Sequence, residues 1–136
     1  MLNEKLNRAR GCMAGLAIGD ALGRPVEGMS SQQIRDTYGD VENFLSQTPG
    51  GSDDTEYAIL TATALLKYGR NLTADQIAEL WLEKVCYQAE NFLGAGFSEM
   101  AAIANLKSGL KPPQSGIHLH SWSDGLAMRV APIGIV

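Results

Sequence analysis

The sequence predicts an all-α fold. No stretch alternates apolar and polar residues with the two-residue period of a half-buried strand, whereas several segments repeat apolar residues at helical spacing. Residues 73–76 read Thr-Ala-Asp-Gln, which matches the capping box that marks a helix N-terminus. A chain of 136 residues, 45% hydrophobic and 19% charged, has the size and composition of one globular domain covering residues 1–136.

The first predicted helix covers residues 3 to about 22. Glycines recur at every fourth position along it, at Gly11, Gly15, Gly19 and Gly23. At 3.6 residues per turn they form one stripe, and because each glycine weakens a helix, we expect another backbone to pack closely there. Pro25 disfavours helical geometry at Arg24, so the helix ends there. A short helix over Ser31–Thr37 follows, with Ser30 or Ser31 as its cap.

Three further helices and a terminal one are predicted after residue 50. Thr55–Tyr68 is apolar on all sides, which is typical of a buried helix, and Gly69 is its expected C-cap. The capping box at Thr73 opens a helix that runs to about Glu90, and the next covers Ser98–Ser108. Residues 111–121 form a loop with two prolines, and a last helix begins near residues 123 and 124.

Composition excludes several classes of function. The net charge is −4 and the basic residues are scattered, which argues against binding of nucleic acid through its phosphates. No apolar run approaches the roughly 18 residues that a membrane-spanning helix needs. Cys12 and Cys86 both lie in apolar, helix-like stretches, so two reduced, buried thiols are expected, which favours a cytoplasmic protein.

Residues 52–54, Ser-Asp-Asp, are the main candidates for chemistry. In one interpretation Asp53 caps the following helix, with Glu56 completing an aspartate variant of the capping box. In the other, oxygen atoms of Ser52, Asp53 and Asp54 coordinate a hard cation such as Mg²⁺. Helix capping is the commoner use of aspartate at such a place, and spacing alone leaves both interpretations open.

Two other acids precede this cluster. Glu27 lies in a loop between Pro25 and Gly28 and is either a solvated acid or a fixed carboxylate used as an acid, a base or a substrate gate. Asp20 ends the glycine helix, where it either caps or pairs with Arg24, four residues later.

The last third of the chain contains two weaker signals. His118 and His120 could bind zinc, but no third ligand is visible, so a hydrogen-bonded pair in a loop is favoured. Ser123-Asp124-Gly125 is either an N-cap with a first helical turn or a loop that receives phosphate or ribose through free N–H groups. No P-loop motif occurs in the sequence.

Three stretches, taken in order, resemble the ADP-ribosylglycohydrolase family: GCMAGLAIGDALGRPVEG, SDDTEYAIL and SDGLAMRVAPIGI. This family includes members that are like the dinitrogenase reductase-activating glycohydrolase and others that are like a lens crystallin. The resemblance implies a compact, orthogonal all-α bundle with a central cleft that holds two Mg²⁺ ions. It also implies that ADP-ribose, attached to a protein side chain or a small acceptor, binds there and that its glycosidic bond is hydrolysed.

The resemblance assigns roles residue by residue. Metal ligands are expected at Ser52, Asp53 and Asp54, where Ser52 replaces the commoner threonine. Catalytic carboxylates are expected at Glu27, Asp53 and Asp54. Contacts with the substrate are expected from Ser123, Asp124, Gly125 and Met128, where Asp124 stands in place of asparagine.

One departure bears on the extent of the chain. The family completes its metal site with a D-x-D motif in its C-terminal half, and no D-x-D occurs here. We therefore expect this chain to be the N-terminal part of the domain, with the C-terminal half or a second polypeptide supplying the remaining ligands. The apolar residues Ile133, Ile135 and Val136 at the chain's end also predict association.

Two alternative functions remain at this point. One is a catalytically inactive relative, either structural like the crystallin members or a binder of ADP-ribose. The other is a small helical interaction domain in which the aspartates only cap a helix. The intact Ser-Asp-Asp cluster argues against the first, because a structural protein need not keep metal ligands together.

Overall fold

A computed structural model describes residues 2–86, 96–119 and 123–136 and confirms the all-α fold. No β-strand occurs in these three ranges. The α-helices are α1 (Leu2–Gly23), α2 (Ser31–Tyr38), α3 (Asp53–Tyr68), α4 (Ala74–Trp81) and α5 (Phe97–Lys107). A π-helical turn, Leu82–Cys86, continues α4, and short 3₁₀ turns occur at Arg24–Val26, Gly69–Asn71, Gln114–Gly116, Ala127–Arg129 and Ala131–Ile135.

Local capping signals place the helix boundaries close to their predicted positions. The Ser30 hydroxyl accepts a hydrogen bond from the Gln33 backbone N–H, and the Gln33 side chain returns one to Ser30, which fixes the start of α2. Thr73 and Gln76 form the same pair at the start of α4, and in both pairs the glutamine side-chain oxygen accepts its hydrogen bond from the backbone N–H of the cap residue. Gly69 has a φ of +72°, which a residue without a Cβ adopts at little cost, and it caps α3 as predicted. Beyond residue 86, the predicted extension of α4 to Glu90 lies outside the described residues.

The core forms on one side of α3. Tyr57 and Ala58 are fully buried there, and the Tyr57 ring stacks on Trp81 of α4 with 5.1 Å between ring centroids. The same core includes Val85 and Cys86 of the π turn and the α5 residues Ile103 and Leu106. The expectation that α3 is buried on all sides is wrong, because Ile59 is 53% exposed and Leu66 is 89% exposed.

Two expectations for α1 are not met among the described residues. A Cβ built at any of the four stripe glycines finds no atom within 4 Å, so no backbone of the described residues packs against this stripe. Cys12, expected to be buried, is exposed, whereas Cys86 is buried as expected, and both thiols are free. The reason is that α1 buries only Ala21, near its C-terminal end.

The predicted last α-helix is also wrong. After Ser123 the chain makes a turn and then two 3₁₀ segments, Ala127–Arg129 and Ala131–Ile135. Pro132 has no backbone N–H and disfavours helical geometry at Ala131, so an α-helix begun near residue 124 has no room to continue. Both segments pack against α3, and the second also contacts α1.

No helix among the described residues is long and apolar enough to cross a membrane.

Candidate active-site cleft

An open cleft of about 700 Å³ lies where four segments meet. These segments are the C-terminal end of α1, the N-terminus of α3, the N-terminus of α5 and the turn that begins at Ser123. All the residues to which the sequence assigned a site role line this cleft: Glu27, Ser52, Asp53, Asp54, Ser123, Asp124, Gly125 and Met128. The structure therefore brings together residues from three separated stretches of the sequence.

The N-terminus of α3 is capped by Ser52, which corrects the expectation that Asp53 is the cap. The Ser52 hydroxyl accepts a hydrogen bond of 3.3 Å from the backbone N–H of Asp54. Asp53 and Asp54 are the first two residues of the helix itself, and both are partly buried at the cleft wall. Capping therefore explains the serine and does not require either aspartate carboxylate.

Asp20 joins the end of α1 to the start of α3. One of its carboxylate oxygens accepts hydrogen bonds from the backbone N–H groups of Ser52 (2.7 Å) and Thr55 (3.2 Å) and from the Thr55 hydroxyl. The other oxygen accepts one from the Ser52 hydroxyl at 2.8 Å. Sequence reasoning considered only a local cap or a pair with Arg24, and Arg24 instead donates to the Gly51 carbonyl at 2.7 Å.

Gly51 is required by this junction. A Cβ at Gly51 would lie 2.6 Å from the Thr55 hydroxyl oxygen and 2.8 Å from a carboxylate oxygen of Asp20. Such distances are shorter than real Cβ contacts, so a larger residue would displace the side chains of Thr55 and Asp20, which join α3 to α1.

Carboxylates dominate the electrostatics of the cleft. Burial raises the pKa of Asp53, the charges of Glu27, Asp20 and Glu99 raise it further, and a hydrogen bond from its own backbone N–H opposes them. Burial also raises the pKa of Asp54, together with the charges of Asp20, Asp53, Asp124 and Glu27. Burial alone would raise the pKa of Asp20 as well, but its hydrogen bonds from Thr55 and Ser52 lower it overall.

The donor atoms fit a hard cation in their chemistry. Carboxylate and hydroxyl oxygens are the ligands that Mg²⁺ prefers, and Ser52, Asp53 and Asp54 offer them side by side on one wall. The Ser52 hydroxyl donates to Asp20 and accepts from Asp54, which leaves one of its lone pairs for a ligand. Across residues 2–86, 96–119 and 123–136, however, no group of three or more His, Cys, Asp or Glu side chains is arranged to hold a metal ion.

Another part of the cleft lining is the turn that begins at Ser123, and hydrogen bonds within the turn engage two of its backbone N–H groups. The Ser123 hydroxyl accepts a hydrogen bond from the Gly125 N–H at 3.0 Å, and the Asp124 carbonyl accepts one from the Ala127 N–H at 2.6 Å. The Gly125 and Ala127 amides are therefore already hydrogen-bonded in this structure, and binding of phosphate or ribose by this turn stays a prediction. The side chains of Asp124 and Met128 line the cleft beside this turn.

Glu99 and Arg129 are site residues that sequence reasoning did not identify. Glu99 lies in the first turn of α5 and is only 3% exposed. Its carboxylate accepts a hydrogen bond from Ser123 at 3.3 Å and lies 3.8 Å from the Arg129 guanidinium. That guanidinium is also 5.6 Å from the ring centroid of Tyr57 and 5.2 Å from that of Trp81. The available signal for Arg129 was that it is the single charged residue in the otherwise apolar run 126–136.

One member of the predicted histidine pair, His118, lies within the described residues. His118 is exposed in the loop before Leu119, and it is not among the residues that line the cleft. His120 lies outside the described residues, so the hydrogen-bonded pair stays a prediction.

Comparison with known proteins matches the chain to one family over its whole sequence. The description of the matching family is ADP-ribosylglycohydrolase, and the match covers residues 1–136. The chain belongs to the ADP-ribosylglycohydrolase family. This confirms the resemblance drawn from the three sequence stretches, and the family is described as one of glycohydrolases.

Two curated relatives are similar over most of this chain. An uncharacterized protein of Archaeoglobus fulgidus is 38% identical over 136 residues, which covers 93% of this chain and 42% of the relative. Uncharacterized protein YegU of Escherichia coli is 28% identical over 145 residues, covering 96% of this chain and 42% of the relative. The chain thus spans about 42% of the length of these relatives. No solved structure gives a significant match.

Proposed function

We propose that the protein hydrolyses, with the help of Mg²⁺, the glycosidic bond that links ADP-ribose to a protein side chain or a small acceptor. The observation that carries this proposal is the convergence of Glu27, Asp53 and Asp54 in one cleft with the turn at Ser123–Gly125. A cleft of about 700 Å³ is within the range that holds a ligand of nucleotide size. Its carboxylates also suit chemistry at a carbon that develops positive charge.

The reaction adds water across one bond. The water oxygen bonds to the anomeric carbon of the ribose, the bond from that carbon to the acceptor breaks, and the acceptor leaves with a proton. The attacking water must lose a proton, and a carboxylate of the cleft lining, such as Asp53 or Asp54, is suited to accept it. Glu27 is exposed at the cleft edge and is placed in this proposal as a further acid or base.

Mg²⁺, when bound, would supply Lewis-acid orientation of the ribose hydroxyls and activation of the water. Ser52, Asp53 and Asp54 would hold it from this chain, and two ions are expected in the assembled site. Since this chain spans 42% of its relatives, we propose that further ligands come from another part of the protein or from a second polypeptide. The free thiols of Cys12 and Cys86 support a cytoplasmic location within the same proposal.

The test measures release of ADP-ribose by the full-length protein from ADP-ribosylated arginine and serine peptides, with and without Mg²⁺. We expect release that requires Mg²⁺ and falls about 100-fold or more in Asp53→Ala and in Asp54→Ala, as loss of an essential acid–base group does. Asp75→Ala is a matched control, because Asp75 is an exposed acid in the first turn of α4. It removes the same charge from a helix start without touching the cleft.

Two outcomes separate the alternatives. Wild-type rates in both cleft variants would contradict the proposal. Binding of ADP-ribose by the wild-type protein without hydrolysis of any acceptor would instead favour the inactive relative that binds ADP-ribose.

A further inference from the structure

Glu99 presents a buried charge to the rear of the cleft turn. Its carboxylate is 3% exposed, and burial of a carboxylate at this depth is costly unless hydrogen bonds and an opposite charge compensate it. Ser123 supplies the hydrogen bond and Arg129 the opposite charge. Both partners belong to the segment 123–129, which contributes to the cleft lining. The cost of burying the Glu99 carboxylate is therefore offset only while this segment keeps its shape.

Gly125 shows how closely the carboxylate approaches this turn. A Cβ built at Gly125 would meet Glu99 Oε1 and would lie 2.8 Å from the Glu99 carboxyl carbon. The same Cβ would be 3.0 Å from the Ser123 hydroxyl oxygen. The space that a side chain would occupy at position 125 is thus filled by the Glu99 carboxylate.

Arg129 anchors the other end of the segment. Its guanidinium lies over the Tyr57 and Trp81 rings, at distances where a cation is attracted to an aromatic face. Tyr57 is fully buried and Trp81 is nearly so, and their contact with the guanidinium holds Arg129 in position against α3. The segment 123–129 is therefore held at its start by Glu99 through Ser123 and at its end by the aromatic pair.

We infer that Glu99 is a positioning residue that holds the Ser123–Gly125 turn in the shape that receives the substrate. This inference rests on the proposed function for the substrate, but the positioning of the turn is measurable in the free protein. Glu99 is not assigned contact with the reacting atoms. Its effect on the reaction passes through Ser123 and Gly125.

The first experiment follows hydrogen exchange of the Gly125 and Ala127 amides in the full-length protein. Both amides donate to acceptors within the turn, so loosening of the turn exposes them to exchange. We expect Glu99→Ala to speed their exchange about tenfold or more, while the Ile34 amide at the start of α2 keeps its rate. Glu79→Ala, which removes an exposed acid from α4, should change none of these rates.

The second experiment tests the fit between Glu99 and Gly125 with a double-mutant cycle on turn exchange. In the wild-type background, Gly125→Ala must displace the carboxylate and should loosen the turn as Glu99→Ala does. In the Glu99→Ala background the main obstacle is gone, so the same substitution should add little. If Glu99→Ala does not fold, Glu99→Gln keeps the size of the side chain and loses only the charge that Arg129 compensates, and it should show a smaller effect in the same direction.

The kinetic arm separates positioning from general destabilisation. For ADP-ribosylated substrate we expect Glu99→Gln to raise KM about tenfold with kcat within about threefold, since a displaced turn weakens binding rather than chemistry. A drop in kcat with KM unchanged would overturn the inference. Unchanged exchange at Gly125 and Ala127 in Glu99→Ala, or full additivity in the cycle, would also overturn it, whatever the activity. Failure of the wild-type protein to release ADP-ribose would contradict the proposed function alone, because the exchange measurements still decide the role of Glu99.

Discussion

Replacement of Asp20 by asparagine should destabilise the protein by loosening the junction between α1 and α3. The carboxylate accepts hydrogen bonds from two backbone N–H groups and two hydroxyls of Ser52 and Thr55. An asparagine side chain keeps only one acceptor oxygen. Its NH₂ group takes the place of the second carboxylate oxygen and cannot accept the hydrogen bonds made there. A hydrogen bond to a charged group contributes about 1.5–3 kcal/mol, and loss of a helix cap costs about 0.5–2 kcal/mol.

Two effects reduce the expected magnitude. Asp20 is only partly buried, so water replaces part of what is lost. Removal of its charge also relieves repulsion of Asp53 and Asp54, whose pKa values are raised first by burial and then in part by Asp20. We therefore expect Asp20→Asn to lower the free energy of unfolding by about 1–2 kcal/mol near neutral pH.

Equilibrium urea denaturation of the full-length protein measures this difference, and Asp36→Asn is the matched control. Asp36 lies in the last turn of α2 as Asp20 lies in the last turn of α1, but it is exposed and its side chain accepts a hydrogen bond only from Gln32 among the described residues. Both substitutions remove a negative charge from a helix C-terminus, where the helix dipole disfavours it. The control should therefore be neutral or slightly stabilising.

The pH dependence provides a second check on the same carboxylate. The pKa of Asp20 is lowered from its ordinary value of 3.8, so the unfolded chain binds the proton more tightly than the folded protein does. Its contribution is then complete above about pH 4 and is lost as the pH falls through the lowered pKa. The gap between wild type and Asp20→Asn should therefore narrow as the pH falls below about 4. A gap as small as that of the control at pH 7, or one that widens below about pH 4, would refute the reasoning.

Three further predictions concern the cleft and α1. Without divalent ions, Asp54→Asn should stabilise the protein relative to wild type, and the difference should grow as the pH rises from about 4 to 7. The reason is that a carboxylate with a raised pKa costs stability above its ordinary pKa. Melting curves measured against pH test this, and a difference that does not change with pH would contradict it. Phe97→Ala should weaken ADP-ribose binding about tenfold, as measured by calorimetry. Phe97 lines the cleft and is 86% exposed, so its ring offers a face on which the adenine base can stack. An equal loss of affinity for ribose 5-phosphate, which has no base, would contradict this. Gly15→Ala should stabilise the protein by about 0.5–1 kcal/mol in urea denaturation, because alanine favours a helix more than glycine does. Nothing among the described residues lies within 4 Å of the added Cβ. Destabilisation of the full-length protein would instead indicate that another backbone covers the stripe.

The parts of the fold that sequence predicted are those decided by neighbours in the chain. Ser30 with Gln33 and Thr73 with Gln76 each act over three residues, so their letters suffice to place α2 and α4. The end of α3 at Gly69 is equally local. The predicted last helix is absent for a reason that is also local, because Pro132 disfavours helical geometry at Ala131 and outweighs the capping signal at residues 123 and 124.

The parts of the site that sequence missed depend on contacts between distant segments. Asp20 reaches Ser52 across 32 positions, and Glu99 reaches Ser123 across 24. No periodicity or spacing rule connects residues so far apart, and only the order of the three family-like stretches suggested that they meet. Among the described residues Cys12 is exposed and no backbone packs on the glycine stripe. Both expectations rest on the composition of α1, and composition does not identify what covers a helix face.

The role of the adjacent aspartates can now be argued from what else surrounds them. Ser52 caps α3, and Asp20 accepts hydrogen bonds from the Ser52 and Thr55 amides, so the helix start is satisfied without the carboxylates of Asp53 and Asp54. Burial and neighbouring acids raise the pKa of both groups, which means that holding them ionised at neutral pH costs stability. A cation bound among them would offset this cost by stabilising the ionised forms. The measurement that separates a metal site from a costly helix start is therefore the effect of Mg²⁺ on the melting temperature of wild type and of Asp54→Asn, which should be positive for the first and much smaller for the second.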